Sequence, residues 1–440
     1  MLNKSRTNAE IILMTKILIL GGGFGGIRCA LDLEKKINLT LQKPCFWRKV
    51  SRSKASVTLV DKNSYHLFVP ALYEVASAYG IKQDPFAVRL KKTICVPYSD
   101  IFENKKIKFI QAEISSIDVE NKKTATRGGE ILDYDYLVIA LGSQSADFGI
   151  PGVKEYAFKF KTLEDGLALN QKIDQLTKEI AAGKRQPPVK MAVIGAGFTG
   201  IEVAAELACC VKKFAKACNI KSRCERIMLF EAAPKILPVI SDEERKIITQ
   251  RLTKLGVELV EGTAAEEIRD NYIKLKNGKT IEADLVMWTA GTKPLDILSG
   301  LPSVALTENK KIKVNQDMSV NGLYGVFAVG DNSEFTDSKT GRAVPALAYV
   351  AVDQGKIIAK NILRLINNKK PLEYQPSLGA WITPVGGKYA LAHLFRKNIR
   401  GFWGWVIREA VDFKYMLSIL PVRKAISLFW QEITLFTRND

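Results

Sequence analysis

One arrangement of hydrophobic and polar positions occurs twice along the chain. In each copy a short apolar run leads into a glycine-rich turn and then into a stretch of small residues. The runs begin at Lys16 and at Lys190 and read Lys-Ile-Leu-Ile-Leu and Lys-Met-Ala-Val-Ile. An apolar run of this length that ends at glycine is typical of a buried strand in a parallel sheet. The repeat therefore predicts two α/β domains with one local design.

Both turns have the spacing G-x-G-x-x-G. The first glycine permits the tight turn, the second lets the backbone approach a pyrophosphate, and the third lets the helix pack closely on the strand. The pyrophosphate then lies at the helix N-terminus, where N–H groups and the helix dipole attract anions. We therefore expect two Rossmann-like dinucleotide sites. Their turn residues are Gly21, Gly23, Phe24, Gly25 and Gly26 in the first copy and Gly195, Gly197, Phe198, Thr199 and Gly200 in the second.

An acidic residue ends the next apolar run in each copy, Asp61 in the first and Glu231 in the second. A carboxylate at this place binds ribose hydroxyls and repels a 2′-phosphate, so Glu231 favours NADH over NADPH. The separation between Gly26 and Asp61 exceeds the usual value of about 20 residues. We assign the surplus to a basic insertion over 34–56, interpreted as a solvated loop, with an additional anion contact as the alternative.

Three later apolar runs also end at glycine, and they complete the predicted plan. The runs end at Gly142, at Gly291 and at Gly330, which Asp331 follows. They indicate that the second nucleotide domain is inserted into the first. We predict a first domain over 14–158 and 296–370, a second over 159–295, and a separate C-terminal region over 371–440.

The charge and the composition narrow the function. The formal net charge of +19 indicates an anionic partner, either a phospholipid surface, nucleic acid or phosphate-rich cofactors, although a merely soluble basic protein is the alternative. We expect no nucleic-acid partner, because no recognition motif accompanies the charge. Seven cysteines without a CxxC pair and two histidines argue against a disulfide scaffold and against a metal site.

The apolar segment over 11–20 contains Lys16 and runs directly into the glycine turn, so we interpret it as a strand and not as a signal peptide. The chain starts at Met1 or at Met14, and the sequence leaves both open. No window approaches 18 uncharged apolar residues, so we expect no transmembrane helix.

Across Lys16–Asn367 the chain resembles the glutathione-reductase-like flavoproteins, in both glycine turns, in the strand ends and in Gly330-Asp331. The resemblance implies that the first turn binds FAD and the second NAD(P)H, and that Gly330-Asp331 binds the ribityl and phosphate part of FAD. Further cofactor contacts are implied at Lys62, His66, Ala112, Ala140, Gly142, Ala290, Gly291 and Ala348.

Within that superfamily the cysteines exclude two branches. Disulfide reductases have a CxxxxC pair and sulfide:quinone oxidoreductases have a late cysteine, whereas this chain has neither such a pair nor a cysteine after Cys224. The segments 61–73, 195–202 and 231–238 resemble type II NADH dehydrogenases, the single-subunit NADH:quinone oxidoreductases that pump no protons. The resemblance implies that Glu202 helps couple NADH to quinone. The alternative is an acid in the first turn of a helix, stabilised by the helix dipole.

The resemblance has one departure. Where the family has A-Q-x-A-x-Q, this chain has Tyr349 and Asp353 at the two glutamine positions. A tyrosine hydroxyl can donate to a quinone carbonyl, and Asp353 can do so only when protonated. Lys397 is aligned with a lysine near the family's quinone pocket. We predict Glu202, Tyr349, Asp353 and Lys397 as the catalytic residues. The identity of the electron acceptor is the part of this prediction that the sequence supports least.

The segment 396–440 differs in composition from the rest. It has three of the six tryptophans and eight Lys or Arg residues against four acids. Apolar positions form one helical stripe before Pro421 and another after it: Phe402, Val406, Ala410, Phe413, Leu417, Ile426, Phe429, Trp430 and Ile433. A basic amphipathic helix with aromatic residues can lie in the headgroup region of a bilayer. Docking on the core and a homodimer face are the alternatives.

Together these features predict an enzyme that transfers hydride from NADH to FAD and then electrons to a membrane quinone, without proton pumping. We expect it to bind peripherally at the cytoplasmic face of the membrane. One alternative is a flavoprotein reductase with a soluble acceptor such as a ferredoxin or oxygen. The other is a basic, NADH-sensing protein that binds nucleic acid.

Overall fold

The computed structural model describes residues 14–42, 55–78, 92–217, 225–302, 305–395 and 397–439. Met1 and most of the basic insertion predicted over 34–56 lie outside the described residues. Elements are numbered in chain order.

The described strands of the first half are β1 Thr15–Leu20, β2 Ala55–Asp61, β3 Tyr65–Leu67, β4 Cys95–Pro97, β5 Ile107–Gln111, β6 Ile114–Asp118, β7 Lys123–Thr126, β8 Ile131–Asp133, β9 Tyr136–Ile139, β10 Ser143–Ser145, β11 Ala157–Lys159 and β12 Val189–Ile194. Those of the second half are β13 Glu225–Phe230, β14 Val257–Val260, β15 Ala265–Ile268, β16 Tyr272–Leu275, β17 Thr280–Glu282, β18 Leu285–Trp288, β19 Thr292–Pro294, β20 Ile312–Lys313, β21 Val326–Ala328, β22 Ser333–Glu334, β23 Ala380–Pro384, β24 Ala390–Leu394 and β25 Lys397–Gly401.

The described α-helices are α1 Phe24–Gln42, α2 Leu72–Ser77, α3 Tyr98–Ile101, α4 Val153–Tyr156, α5 Leu163–Ala181, α6 Phe198–Ala217, α7 Asp242–Leu255, α8 Ala348–Ile366, α9 Phe402–Ile419 and α10 Val422–Asn439. Short 3₁₀ turns occupy Val69–Ala71, Asp296–Gly300 and Gly330–Asn332. Within the described ranges, no helix is both long enough and apolar enough to cross a membrane.

The chain divides into two compact units, one formed by 1–64, 102–143 and 294–376 and the other by 65–101, 144–293 and 377–440. Each unit is formed by three separate stretches of the chain. The units do not coincide with the predicted domain ranges, since 65–101, 144–158 and 377–440 all group with the second unit. The predicted nucleotide domains stay a prediction.

The first unit is built on a five-stranded parallel sheet in the order β21-β9-β1-β2-β5. The central strand β1 is buried from Ile17 to Leu20, as expected for a strand covered on both faces. Helices α1 and α8 pack closely, since a Cβ added at Gly355 would lie 2.4 Å from the carbonyl oxygen of Gly25. An antiparallel sheet β6-β7-β8 completes this unit.

The second unit repeats the same plan. Its five-stranded parallel sheet has the order β11-β18-β12-β13-β14, with the strand before the glycine turn again in the centre and the acid-bearing strand beside it. In both sheets the strand order reverses at the central strand, which is where open α/β sheets bind ligands. Two antiparallel sheets, β15-β16-β17 and β23-β24-β25, also belong to this unit.

The C-terminal helices α9 and α10 have an unusual distribution of side chains. Their outward positions include Phe402, Trp403 and Trp430, of which the two tryptophans are 69% and 65% exposed. Their buried positions include Arg408 and Glu432, and the latter is only 1% exposed. The two faces of each helix can be read from the sequence, but the orientation of those faces is found only in the structure.

Candidate functional site

The first glycine turn lies between β1 and α1, and its outer glycines are required by packing. Gly21 has a φ of +98°, and a Cβ added there would lie 2.3 Å from the carbonyl oxygen of Ala140. A Cβ added at Gly26 would lie 2.0 Å from the carbonyl oxygen of Gly21. At Gly23 an added Cβ would meet nothing within 4 Å. The open space beside Gly23 is therefore a cradle that a Cβ would partly fill, as a pyrophosphate site requires.

Asp61 fastens this turn from the end of β2. Its Oδ2 accepts a hydrogen bond of 2.7 Å from the N–H of Gly22, and its Oδ1 accepts one of 2.8 Å from the N–H of Asn63. A carboxylate can accept several hydrogen bonds at once, so the same group can also bind ribose hydroxyls. The donor set and the open cradle both fit the adenosine diphosphate part of FAD.

The late strand β21 brings a second acid close to the strand end at Gly142. Asp331 accepts a hydrogen bond of 2.7 Å from the hydroxyl of Ser143. Asn332 accepts from the N–H of Gly142 at 2.9 Å and donates to the carbonyl of Ile139 at 3.1 Å. The segment predicted to bind the ribityl and phosphate part of FAD is therefore held against the end of β9.

The second glycine turn, between β12 and α6, has the same geometry. Gly195 has a φ of +104°, and a Cβ added there would lie 2.5 Å from the Cα of Ala290. A Cβ added at Gly200 would lie 1.9 Å from the carbonyl oxygen of Gly195, whereas one added at Gly197 would meet nothing within 4 Å. The second turn thus offers an open cradle of its own.

Glu231 repeats the role of Asp61. Its Oε2 accepts a hydrogen bond of 2.8 Å from the N–H of Ala196, and its Oε1 accepts one of 2.9 Å from the N–H of Ala233. The hydroxyl of Thr289 donates to the carbonyls of Ile194 and Gly195 at 3.0 and 2.9 Å and holds the turn from the other side. An anionic acid at this position fits NADH better than NADPH.

Glu202 is the fifth residue of α6 and follows the second glycine turn closely. Its Oε1 accepts a hydrogen bond of 3.4 Å from the hydroxyl of Thr383. Burial raises the pKa of Glu202 to about 8, and the nearby Arg408 guanidinium only partly opposes this shift. The carboxyl can therefore hold and release a proton near neutral pH.

Tyr349 and Asp353 lie one turn apart on α8, in the first unit. Burial raises the pKa of Tyr349, and the neighbouring Asp353 adds to the shift, so the hydroxyl stays a hydrogen-bond donor. Asp353 is partly exposed and forms an ion pair of 2.8 Å with Lys356. Lys397, the fourth predicted catalytic residue, begins β25 in the second unit and is exposed.

A comparison with protein families matches residues 15–355 to the pyridine nucleotide-disulphide oxidoreductases. The chain belongs to this family. The match spans both glycine turns, both acids and Asp331. The sequence has no CxxxxC pair of the kind that disulfide reductases have.

Relatives within and around the family differ in what they reduce or oxidise. The type II NADH:quinone oxidoreductase of Staphylococcus haemolyticus is 28% identical over 409 residues, which are 92% of this chain and 96% of the relative. NDH2 of Plasmodium falciparum, solved with NADH, has a TM-score of 0.79 at 18% identity and covers 96% of this chain and 98% of its own. The sulfide:quinone oxidoreductase of Aquifex aeolicus has a TM-score of 0.72 at 21% identity, with coverages of 92% and 90%.

Several residues predicted to contact the cofactors lie outside the two cradles. Lys62 is exposed, and its carbonyl accepts a hydrogen bond from Gln111, while the N–H of Ala112 donates to the carbonyl of Asp61. His66 belongs to the second unit and is buried, with its Nε2 2.9 Å from the hydroxyl of Tyr415. Ala348 begins α8, and Gly291 faces the ring of Phe148. Their roles toward a cofactor stay predictions.

Sequence reasoning missed the side chains that hold the second glycine turn and the strand ends around Gly142 and Gly330. These are Ser143, Thr289, Asn332 and Gln354, the last of which accepts a hydrogen bond of 3.0 Å from the N–H of Gly330. Asn332 directly follows Gly330-Asp331 and carried a usable signal, because a buried amide after a strand commonly binds backbone groups. Arg408 was also missed, since a lone arginine in an amphipathic stretch is usually interpreted as a solvated residue.

Proposed function

We propose that the protein is an FAD-dependent NADH:quinone oxidoreductase that passes two electrons from NADH through FAD to a quinone and pumps no protons. The single observation that carries the proposal is the pair of equivalent cradles, each open beside its middle glycine and each fastened by an acid. The printed name of the staphylococcal relative, whose match spans nearly all of both chains, supports the acceptor.

FAD is assigned to the first cradle. The backbone around Gly23 would receive the pyrophosphate, Asp61 the adenosine ribose, and the Ser143–Asp331 pair the ribityl side. When bound, FAD supplies the redox chemistry by accepting hydride from NADH and giving up electrons to the acceptor. The chain's own contribution is to fix these groups in place: Asp61 holds the turn by two backbone N–H groups, and Asn332 fixes the end of β9.

NADH is assigned to the second cradle. Gly197 leaves room for its pyrophosphate, and Glu231 would bind the ribose hydroxyls and repel the 2′-phosphate of NADPH. Glu202 follows as the fifth residue of the helix after this turn, and burial raises its pKa to about 8, so it holds a proton at neutral pH. This proton matters because reduction of a quinone by NADH takes up one proton from solvent for each quinol formed.

For the quinone we propose Tyr349 of the first unit as a hydroxyl donor and Asp353 beside it as a polar residue, and we keep Lys397 of the second unit as a separate candidate. A second candidate function differs from the first only in the electron acceptor, which would be a soluble molecule instead of a quinone. The replacement of both glutamines by Tyr349 and Asp353, and the Asp353–Lys356 ion pair, favour a soluble acceptor, because a paired carboxylate donates no hydrogen bond to a quinone carbonyl.

Anaerobic stopped-flow absorbance decides between the two acceptors. The purified protein is expected to be yellow, to bleach with NADH, and to recover its colour with a short-chain quinone faster than with ferricyanide or a ferredoxin. Recovery with soluble acceptors alone would assign the second function. A protein without bound flavin would remove the basis of both.

We further propose that α9 and α10 bind peripherally to an anionic membrane, at its cytoplasmic face. The support is an outward apolar and aromatic surface, which includes Trp403, Leu417, Val422 and Trp430, on a chain with a net charge of +19. Aromatic side chains with basic neighbours are suited to the headgroup region. The same surface could instead join two copies of the chain.

Flotation with vesicles of mixed neutral and anionic lipid tests this. We expect Trp403→Glu with Trp430→Glu to abolish flotation, and Val239→Glu, at an equally exposed apolar position outside these helices, to leave it unchanged. Flotation that survives the double variant would contradict membrane binding through this surface. A shift from dimer to monomer in the double variant, without a change in flotation, would assign the surface to self-association.

A further inference from the structure

Helix α9 turns charged residues toward the interior. Arg408, Glu409 and Asp412 are all buried, and Glu432 of α10 is buried beside them. Charged side chains are rarely buried unless they are paired, because removal from water is costly. The burial of these four charged residues together therefore has to be explained by their mutual contacts and protonation.

Arg408 is the centre of the cluster. Its Nη1 lies 3.3 Å from Oε1 of Glu409, and its Nε lies 3.5 Å from Oδ2 of Asp412. Its Nη2 donates a hydrogen bond of 3.5 Å to the carbonyl of Pro70, and its guanidinium lies 5.4 Å from the ring centre of Tyr73. These contacts fix the guanidinium and keep it charged.

The carboxyl groups outnumber this cation. Glu202 interacts electrostatically with Arg408 and Asp412, and Glu432 interacts with Asp412, Glu409 and Arg408. If Glu202, Glu409, Asp412 and Glu432 were all ionised, the group would have a net charge of −3. Like charges in a buried site cannot all be ionised, so some of these carboxyls must hold protons.

Burial raises the pKa of some of these carboxyl groups, and those groups hold protons. It raises the pKa of Asp412 to about 7, with Arg408 opposing and Glu409 reinforcing the shift. Burial also raises the pKa of Glu432 well above its ordinary value, and Asp412 and Glu409 add to this. Within the described chain, Oε2 of Glu432 accepts no hydrogen bond, as suits a protonated carboxyl. Among the described residues, Tyr73 and Glu74 from α2 and Glu206 from α6 also interact electrostatically with this region.

We propose that Glu202, Glu409, Asp412 and Glu432, gathered around Arg408, form an internal proton store that supplies the proton consumed when quinone is reduced. The inference rests on the proposed function. In each turnover NADH provides two electrons and one proton as hydride. The store provides the second proton: a carboxyl O–H bond breaks, a quinol O–H bond forms, and the carboxylate takes a proton back from solvent afterwards. Arg408 stabilises the intervening carboxylate, and Glu202 is the member adjacent to the second glycine turn.

The first test examines the resting flavoprotein without turnover. Infrared spectra across neutral pH are expected to contain the carbonyl band of protonated carboxylic acids. Asp412→Asn and Glu432→Gln, which keep side-chain shape, should each remove part of that band. The control Glu243→Gln, at an exposed acid of α7, should leave it intact. Neutral-pH spectra in which neither variant changes the band would overturn the proposal.

The second test follows proton uptake. NADH-reduced protein is mixed with quinone in weak buffer with a pH indicator. The store predicts that quinol forms before solvent protons are taken up, and that Glu432→Gln loses this lag while it retains flavin and thermal stability. If Glu432→Gln fails to fold, Asp412→Asn carries the test, since both groups belong to the store.

Simultaneous quinol formation and proton uptake in the wild-type protein would overturn the store even though the enzyme is active. A wild-type protein that bleaches with NADH but reduces no quinone would instead refute the proposed function, and the store's role with it. In that case the infrared band would still report whether the cluster holds protons. A purely structural role for the cluster would change thermal stability in the variants and leave the lag unchanged.

Discussion

Substitution of the middle glycine in each turn separates folding from cofactor binding. Gly23 and Gly197 do not have left-handed backbone, and an added Cβ meets no protein atom within 4 Å at either position. Gly23→Ala and Gly197→Ala should therefore leave the fold intact. They should raise stability slightly, by about 0.4–1 kcal/mol, because alanine restricts the unfolded chain more than glycine does.

The added methyl group should instead weaken the binding of FAD and NADH. A methyl group placed in a close contact costs about 1–3 kcal/mol. At about 1.4 kcal/mol for each tenfold change in affinity, this corresponds to roughly 5- to 150-fold weaker binding. Gly23→Ala should lose FAD, and Gly197→Ala should keep FAD but bind NADH more weakly.

Thermal unfolding of the flavin-free proteins measures the first effect, and it should show unchanged or slightly higher midpoints. Flavin content after purification and NADH titration of the reducible flavin measure the second. Wild-type flavin retention in Gly23→Ala would refute the assignment of the pyrophosphate to this space. Unfolding of either variant before any ligand is added would show that the space is not open.

Three further predictions concern neighbouring features. Gly200→Ala places a Cβ 1.9 Å from the carbonyl oxygen of Gly195, so it should lower the thermal midpoint strongly where Gly197→Ala does not; equal midpoints would contradict the packing argument. Asn332→Ala leaves the partly buried N–H of Gly142 and the buried carbonyl of Ile139 without their partner, at about 1–3 kcal/mol for the carbonyl, and should lower both stability and flavin content in urea titrations and absorbance spectra. The folded protein binds the proton of Glu202 more tightly than the unfolded chain, so stability should fall as pH rises from 4.5 to about 8. Glu202→Gln should flatten that part of the pH profile in urea unfolding, and an unchanged slope would show that the carboxyl is not held protonated.

The parts of the site that follow from local sequence were predictable. The two glycine turns, Asp61, Glu231 and the parallel strands around them are each encoded within a few tens of residues, and the structure places them as expected. The partners of Gly142 were not predictable, because Asn332 lies 190 positions away and reaches the turn only through the tertiary fold.

The orientation of α9 could not be decided from the sequence, which left both a membrane-facing and a core-facing apolar stripe open. Helical periodicity separates an apolar stripe from a polar one, but the usual rule turns the apolar stripe inward. Here Arg408 and Asp412 face inward and Trp403 faces outward. The rule assumes an apolar interior, and the buried charged side chains around Arg408 violate that assumption.

The two turn acids have a consequence for how nucleotide preference can change. Glu231 holds the N–H groups of Ala196 and Ala233 through both carboxylate oxygens, as Asp61 does for Gly22 and Asn63. The carboxylate that we propose to select the coenzyme therefore also holds the loop in place through its hydrogen bonds. A substitution of Glu231 that admits NADPH therefore also removes the two hydrogen bonds that hold the loop around Ala196 and Ala233. Such a switch therefore needs a second replacement that supplies new acceptors to the two amides, and single substitutions should yield enzymes that bind both coenzymes poorly.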